Sequence, residues 1–266
     1  MKIGFIGTGH MGGALAKAAA KTVDPSTLYF SNRTSAKTEA LAAELGAHAS
    51  DNLTIAQECD YIFLGVKPQM MEDLLVSLHD TLKGRTTPFA LISMATGLTL
   101  EALQAMAGMT APIFRIMPNT ACAAGAGLTL YATGPYVTAP QEADFLRILS
   151  ASGTVETLDE DLMDAASTIS GCGGAFVCLF LEALADGGVV CGLPRDKALR
   201  YATQMLLGTA VLAQTSGDHP GIMKDAICSP GGTTIAGVRA LEEHGFRAAA
   251  MNAVISAYER TLELKK

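Results

Sequence analysis

Charge is scarce in this chain. Of its 266 residues only 17% are charged, the net charge is −7, and no cluster of lysine or arginine stands out. A nucleic-acid partner is thereby disfavoured, because phosphate backbones are held by dense positive patches. The six cysteines (Cys59, Cys122, Cys172, Cys178, Cys191 and Cys228) include no CxxC pair, and the histidines include no HExxH. Neither disulfides nor a metal site is expected, and reduced, buried thiols in a cytoplasmic protein are the plain reading. Met1-Lys2-Ile3-Gly4-Phe5-Ile6 runs straight into a strand pattern, so no signal peptide is expected ahead of the fold. No low-complexity linker or internal repeat interrupts the chain. What is plentiful is apolar: 49% of residues are hydrophobic. That excludes a disordered chain and supplies a sizeable core for one large domain or two smaller ones.

One stretch imitates a membrane span. Cys172 to Leu193 is largely apolar and close to the ~20 residues a span needs. Glu182 and Asp186 sit one helical turn apart within it, and glycines crowd both ends. A charge at the bilayer centre costs at least ~2.5 kcal/mol, so no membrane is expected. A buried helix packed on more than one neighbour is the better expectation.

The first half alternates short apolar runs with amphipathic stretches, the rhythm of a parallel sheet wrapped by helices. Strands are predicted at Ile3–Ile6, Leu28–Phe30, Tyr61–Val66, Phe89–Ser93, Ile113–Ile116, Leu128–Tyr131 and Thr154–Glu156. Helical spacing falls at Gly12–Lys21, Ser35–Leu45, Met70–His79, Leu100–Ala107 and Gln141–Ser152. After about residue 160 the strand rhythm stops. Asp161–Ser167, Ala175–Val190, Arg195–Gln214, Ile222–Ile227, Thr234–His244 and Phe246–Leu264 all carry helical spacing, with Pro194 starting one helix and Gly245 ending another. The fold class is therefore α/β: a Rossmann-type doubly wound sheet over residues 1–159, followed by an all-α domain over residues 160–266. Such an apolar helical domain would expose large patches alone, so it is expected to dimerise.

Gly7-Thr8-Gly9-His10-Met11-Gly12 follows a strand directly and precedes a helix. Gly7 suits a tight turn, Gly9 lets a pyrophosphate approach the backbone, and Gly12 lets helix and sheet pack closely. A site for NAD normally places an acid at the end of the second strand, to bond the ribose hydroxyl. Here that strand ends in Ser31-Asn32-Arg33-Thr34, with no acid. Arg33 and its small polar neighbours suit a 2′-phosphate, so NADPH is the expected cofactor, with NADH as a weaker second donor. The plain alternative for Arg33 is a solvated surface charge.

Ser229-Pro230-Gly231-Gly232-Thr233-Thr234 is the second loop of note. Proline fixes one backbone angle, the glycines permit conformations that other residues resist, and the loop can turn N–H groups and hydroxyls toward a small anion.

With both ends placed, the chain resembles the Δ1-pyrroline-5-carboxylate reductase family, which makes proline. The resemblance rests on a series of motifs in order. They are the Gly7–Gly12 fingerprint, Val66-Lys67-Pro68-Gln69, Ala95-Thr96-Gly97 and Met117-Pro118-Asn119-Thr120. Ser170-Gly171-Cys172-Gly173, Glu182-Ala183-Leu184-Ala185-Asp186-Gly187-Gly188, Gly192-Leu193-Pro194-Arg195 and the Ser229–Thr234 loop complete it. The resemblance implies cofactor contacts from Ile6, Gly7, Thr8, Gly9, His10 and Met11. Further contacts would come from Ser31, Asn32, Arg33, Asn52, Gly65, Val66, Lys67, Pro68, Met94, Ala95 and Thr96. It implies a substrate carboxylate on Ser229, Gly231, Gly232, Thr233 and Thr234, with Thr234 near the ring nitrogen and Glu160 near the substrate. It also implies a homodimer with interleaved helical domains, while a higher oligomer stays open. The chain departs from the family pattern at Cys172, Gly174 and Phe176, where Ser, Pro and Tyr are usual. Ala121 stands in place of a common Pro, and Cys228 in place of Thr or Ser.

The chemistry so implied is hydride transfer to a cyclic imine. Protonated as an iminium, such a substrate is already electrophilic and needs no metal to polarise it. Thr234 is the candidate to hydrogen-bond the nitrogen as it becomes an amine; its plain alternative is a helix N-cap. Two other readings remain. Another NADP-dependent imine or ketone reductase could share the layout, although the 3-hydroxyacid dehydrogenases use a catalytic lysine, and here the only interior lysines of the helical part are Lys197 and Lys224, neither in that context. A non-catalytic NADPH-binding paralogue is the other.

Overall fold

The structure, a computed structural model, describes residues 1–263. It divides into two compact units, Met1–Gly171 (with the last described residues from Arg260) and Cys172–Glu259.

The first unit is built on one eight-stranded sheet. Its strands are β1 (Ile3–Ile6), β2 (Leu28–Ser31), β3 (His48–Ala49), β4 (Tyr61–Leu64), β5 (Ala90–Ser93), β6 (Ile113–Met117), β7 (Gly127–Thr133) and β8 (Gly153–Thr157). They lie in the order β3-β2-β1-β4-β5-β6-β7-β8, so the winding direction reverses between β1 and β4. Between the strands run α1 (His10–Ala19), α2 (Ser35–Leu45), α3 (Asn52–Glu58), α4 (Met71–Lys83), α5 (Leu100–Ala107) and α6 (Ala139–Leu149).

Strands β1 to β6 are mutually parallel, but β7 pairs antiparallel with β6, and β8 runs parallel to β7. The expected all-parallel rhythm therefore fails at the far edge. Between β6 and β7 there is only a short 3₁₀ turn, Thr120–Ala124, whereas a parallel crossover takes a dozen or more residues. Two elements were not anticipated, β3 and α3. Both are too short to show a period, although Asp51 marks the start of α3 by accepting from the Thr54 amide at 2.9 Å.

The strands read as continuous apolar runs because both faces of the sheet are covered. On β4, Tyr61 and Phe63 enter one core with helices α1, α2 and α6, while Ile62 and Leu64 enter the other with α3, α4 and α5. Phe5 stacks on Phe63 across β1 and β4 with ring centroids 4.5 Å apart. This unit continues past residue 159 because α7 (Met163–Ser167) packs on the sheet, with Met163 fully buried against Met117, Leu130 and Ala132.

The second unit is all helical: α8 (Gly173–Val190), α9 (Arg195–Ser216), α10 (Pro220–Ile227), α11 (Thr233–Glu243) and α12 (Phe246–Glu263). Leu264, the expected end of the last helix, lies outside the described residues, as do 265 and 266. Helix α8 meets α9 where Gly188 faces Ala198, and a Cβ on Gly188 would stand 3.1 Å from that of Ala198. Only Ala185 of α8 is buried, whereas Leu179 is 69% and Val190 88% exposed. The expectation of a buried α8 is thus wrong for a single chain, because these helices make too thin a layer to cover their own apolar faces. The thiols need the same correction. Cys59 and Cys122 are buried, but Cys172, Cys178 and Cys191 are exposed and Cys228 is half-buried.

Candidate functional site

The reversal of strand order leaves a crevice beyond the carboxyl ends of β1 and β4. Gly7 ends β1 at φ +97°, and its amide donates to the Ser31 carbonyl at 2.8 Å, which draws the turn toward β2. A Cβ on Gly12 would collide with the Gly7 carbonyl, so the first turn of α1 can lie on the β1 turn only with glycine there. At Gly9, by contrast, no atom lies within 4 Å of a built Cβ. Gly9 is also the N-cap of α1 and offers no side-chain cap. The N-terminus of α1 is thus free of a side-chain cap and open to approach at Gly9, the arrangement that takes a phosphate.

The crevice is an open cleft of about 960 Å³. Of the residues expected at the cofactor, Ile6, Gly7 and Gly9 line its floor, Ser31, Asn32, Arg33 and Asn52 one wall, and Gly65, Val66 and Lys67 another. Thr8 and His10 border a neighbouring cleft of about 510 Å³ together with Lys37. Met11, Pro68, Met94, Ala95 and Thr96 line neither cleft. Sequence reasoning missed Asp51, Leu53, Met70, Asp73, Leu74 and Ser77. Asp73, Leu74 and Ser77 come from α4, whose side facing the cleft shows no signal beyond ordinary amphipathic spacing.

At the end of β2 the Ser31 hydroxyl is held by Asn52, with Oγ donating to Oδ1 at 2.6 Å. Arg33 beside it is exposed and makes no ion pair or side-chain hydrogen bond among the described residues. An unpaired guanidinium and an amide side chain at the end of β2, with no carboxylate there, fit a 2′-phosphate; the nearby Asp51 carboxylate is already engaged by the amide and hydroxyl of Thr54.

In the helical unit, α10 ends at Ile227, and the chain turns through Gly231 at φ +68°. The Gly232 amide closes the turn on the Ser229 carbonyl at 3.0 Å. A Cβ on Gly232 would run into Ser229 Oγ. The N-cap of α11 is Gly232, with no side-chain cap, so Thr233 and Thr234 are the first two helical residues. The capping alternative for Thr234 falls, because that position is already taken. Ser229, Gly231, Thr233 and Thr234 are exposed and Gly232 is half-buried, leaving uncapped amides and free hydroxyls side by side. Lys224, one of the two lysines weighed as a dehydrogenase-type catalytic lysine, is paired with Asp225 at 2.7 Å, and that hydrogen bond raises its pKa.

Glu160 belongs to the sheet unit. Its Oε1 accepts from the Leu100 amide at 2.7 Å and from Arg115 at 3.0 Å. Arg115, on β6 and 1% exposed, also reaches Asp164 at 2.7 Å. Asn119, in the Met117–Thr120 motif, donates to the Ser170 carbonyl at 2.9 Å, within a π-helical turn over Thr168–Cys172. That motif therefore ties the end of β6 to the chain leaving the sheet.

Residues 160–264 match the family described as pyrroline-5-carboxylate reductase dimerisation, and residues 2–97 match the family described as NADP oxidoreductase coenzyme F420-dependent. The chain is 41% identical over 268 residues to the pyrroline-5-carboxylate reductase of Methanosarcina acetivorans, covering 100% of this chain and 98% of that protein. It is 37% identical to the Escherichia coli pyrroline-5-carboxylate reductase, with the same two coverages. Among solved structures, a crystal structure of Plasmodium falciparum pyrroline carboxylate reductase with NADP bound superimposes with a TM-score of 0.90. It is 32% identical, and the match covers 100% of this chain and 98% of that one.

Proposed function

The chain belongs to the pyrroline-5-carboxylate reductase family, and from that premise we propose how its residues divide the work of that enzyme. The activity is NADPH-dependent reduction of 1-pyrroline-5-carboxylate to L-proline. The observation that carries the reading is the pairing of an uncapped α1 N-terminus and unpaired Arg33 in one unit with an uncapped, hydroxyl-rich α11 N-terminus in the other.

In this reading, residues 1–159 bind the dinucleotide. Backbone from Ile6 to Met11 receives the pyrophosphate, and Ser31, Asn32, Arg33 and Asn52 surround the ribose phosphate. Gly65 to Pro68 and Met94 to Thr96 continue the site. NADPH supplies the hydride when bound.

Residues 160–266 hold the substrate and the partner. Amides at Gly231 and Thr233, with the Ser229 hydroxyl, grip the carboxylate while Gly232 holds the turn closed, and so fix which carbon of the C=N bond is presented. Thr234 donates or relays a hydrogen bond to the nitrogen, steadying it as it changes from iminium to amine. The exposed faces of α8 and α9 are covered by a second copy, giving a homodimer or a larger oligomer of dimers. The stretch Glu160–Val190 is long and apolar enough to cross a membrane, with a mean hydropathy of 1.7, but it falls inside the dimerisation match. An interface between copies accounts for it better than lipid does, and a cytoplasmic location follows in this reading.

Consumption of NADPH is the test, comparing pyrroline-5-carboxylate, a six-membered cyclic imine acid and an open-chain keto acid. Turnover confined to the imines, and fastest with the five-membered ring, is expected. Preference for the keto acid would point to another reductase, and NADPH binding without turnover to a non-catalytic paralogue.

A further inference from the structure

We propose that Glu160 is a positioning residue: locked in place by Arg115, it holds the loop after β5 through the amide of Leu100. The proposal rests on the reading that Met94, Ala95 and Thr96 in that loop meet the dinucleotide.

Arg115 sits in the apolar run of β6 and is 1% exposed. Its Nη1 donates to Glu160 at 3.0 Å and its Nη2 to Asp164 at 2.7 Å, while its buried Nε has no partner. An apolar side chain of similar volume would fill such a place at least as well, so a buried guanidinium is a poor device for stability alone. What it does provide is a fixed rotamer for the two carboxylates it grips.

Glu160 puts that fixed position to use. The same Oε1 that meets Arg115 accepts from the Leu100 amide at 2.7 Å, from a residue 60 positions away in the chain. Leu100 is the first residue of α5, and its amide is one of the donors a helix cannot satisfy internally. Thr99 takes another, its Oγ1 accepting from Ala102 at 3.1 Å. The loop from Met94 to Thr99 is thus pinned at both ends. At the β5 end the Met94 amide donates to the Leu64 carbonyl at 3.3 Å, and at the α5 end stands Glu160. Between these anchors Gly97 turns at φ +83°. With one anchor gone, the loop would swing about the other. A carboxylate with Oε1 engaged twice in this way is a strut, and only Oε2 remains to it.

Leu100→Pro tests the strut, with Leu100→Ala as its control. Proline suits the first helical position and removes only the amide hydrogen. Thr99 already has the extended backbone (φ −81°, ψ 163°) that a residue before proline needs. Alanine removes the same side chain and keeps the amide. NADPH affinity is read directly by fluorescence titration without substrate, beside kcat and the imine KM at saturating NADPH. The expected result is about tenfold weaker NADPH binding in Leu100→Pro than in Leu100→Ala, the scale of a lost hydrogen bond to a charged group, with the imine KM unchanged. Glu160→Ala should match Leu100→Pro, and Glu160→Gln, which keeps an acceptor, should recover most of the affinity. Equal NADPH binding by the two Leu100 variants overturns the proposal. So does a raised imine KM in Glu160→Gln with NADPH affinity intact, which would place Glu160 on the substrate. A wild-type chain that fails to bind NADPH at all would instead overturn the cofactor reading beneath it.

Discussion

Replacing Arg33 with alanine should change which dinucleotide the enzyme prefers without disturbing the fold. The side chain is exposed and makes no ion pair or side-chain hydrogen bond among the described residues, so its removal leaves no orphaned partner there and no cavity. What is lost is one charge-assisted contact to a phosphate. Such contacts are worth ~1.5–3 kcal/mol, and solvent exposure argues for the lower figure. About 1.4 kcal/mol is tenfold in affinity, so kcat/KM for NADPH should fall about tenfold while kcat/KM for NADH stays where it was. Lys37, which borders the neighbouring cleft, remains as a second cation and should keep the loss from going further. Arg33→Lys retains the charge but not the planar fork and should fall between. Salt adds an independent check, because screening shortens to a Debye length of ~8 Å near physiological ionic strength. The gap between wild type and Arg33→Ala should therefore narrow as salt rises. Steady-state kinetics with both cofactors at two salt concentrations decides the matter. An equal fall for NADPH and NADH would refute the reasoning, since only the 2′-phosphate distinguishes them.

Thr234→Ala should lower kcat/KM for the imine while leaving the NADPH dissociation constant nearly unchanged, as isothermal titration beside kinetics will show. Because Gly232 already caps α11, its melting temperature should stay within a degree or two of wild type. Gly12→Ala forces a Cβ onto the Gly7 backbone carbonyl, which cannot swing aside as a side chain could. It should abolish NADPH binding and lower the melting temperature by several degrees in thermal scans. Leu179→Glu places a carboxylate on an exposed apolar face of α8 and should yield monomer in sedimentation velocity; an unchanged dimer would mean that this face is not the interface. Burial pushes the Cys59 thiol up to about 12, and burial with the Glu142 hydrogen bond pushes Tyr131 up to about 12; Tyr61 is also raised by burial. Unfolded, a thiol titrates near ~8.5 and a tyrosine near ~10. Each group's contribution is therefore complete below its unfolded value and is lost as pH climbs toward the folded one. Melting temperatures should fall steadily above about pH 9, less steeply in Cys59→Ala, and a flat profile up to pH 11 would contradict the burial argument.

The dinucleotide half was legible because its strands are buried on both faces and its glycines sit where strand meets helix. β3 and α3 were not, since two residues and seven are too few to show a period. The reversal at β7 could have been found by length, as the 118–126 connection has no room for a crossover. The error over α8 has a different origin. Its apolar circumference does report burial, but nothing in a single chain says whether the covering atoms belong to that chain or to a copy. Arg115 left a readable trace, one charge inside Ile113-Phe114-Arg115-Ile116, which a buried strand tolerates only with partners. Glu160 and Asp164, one helical turn apart, were the pair to look for. The site itself was half legible. Its two glycine-rich loops show in the sequence, whereas the wall formed by Asp73, Leu74 and Ser77 is set by how α4 leans on the sheet.

The two units also differ in what they require in order to exist. Both faces of the sheet are closed by helices of the same chain, and the buried core residues of this unit all lie before residue 171, although the unit also takes in the chain from Arg260. Ribosomes add ~5–20 residues per second, which leaves this unit seconds to settle before the Ser229–Thr234 loop is synthesised. The helices that follow leave the apolar faces of α8 and α9 exposed in a single chain, and the proposed association that covers them is an event whose rate grows with the square of chain concentration.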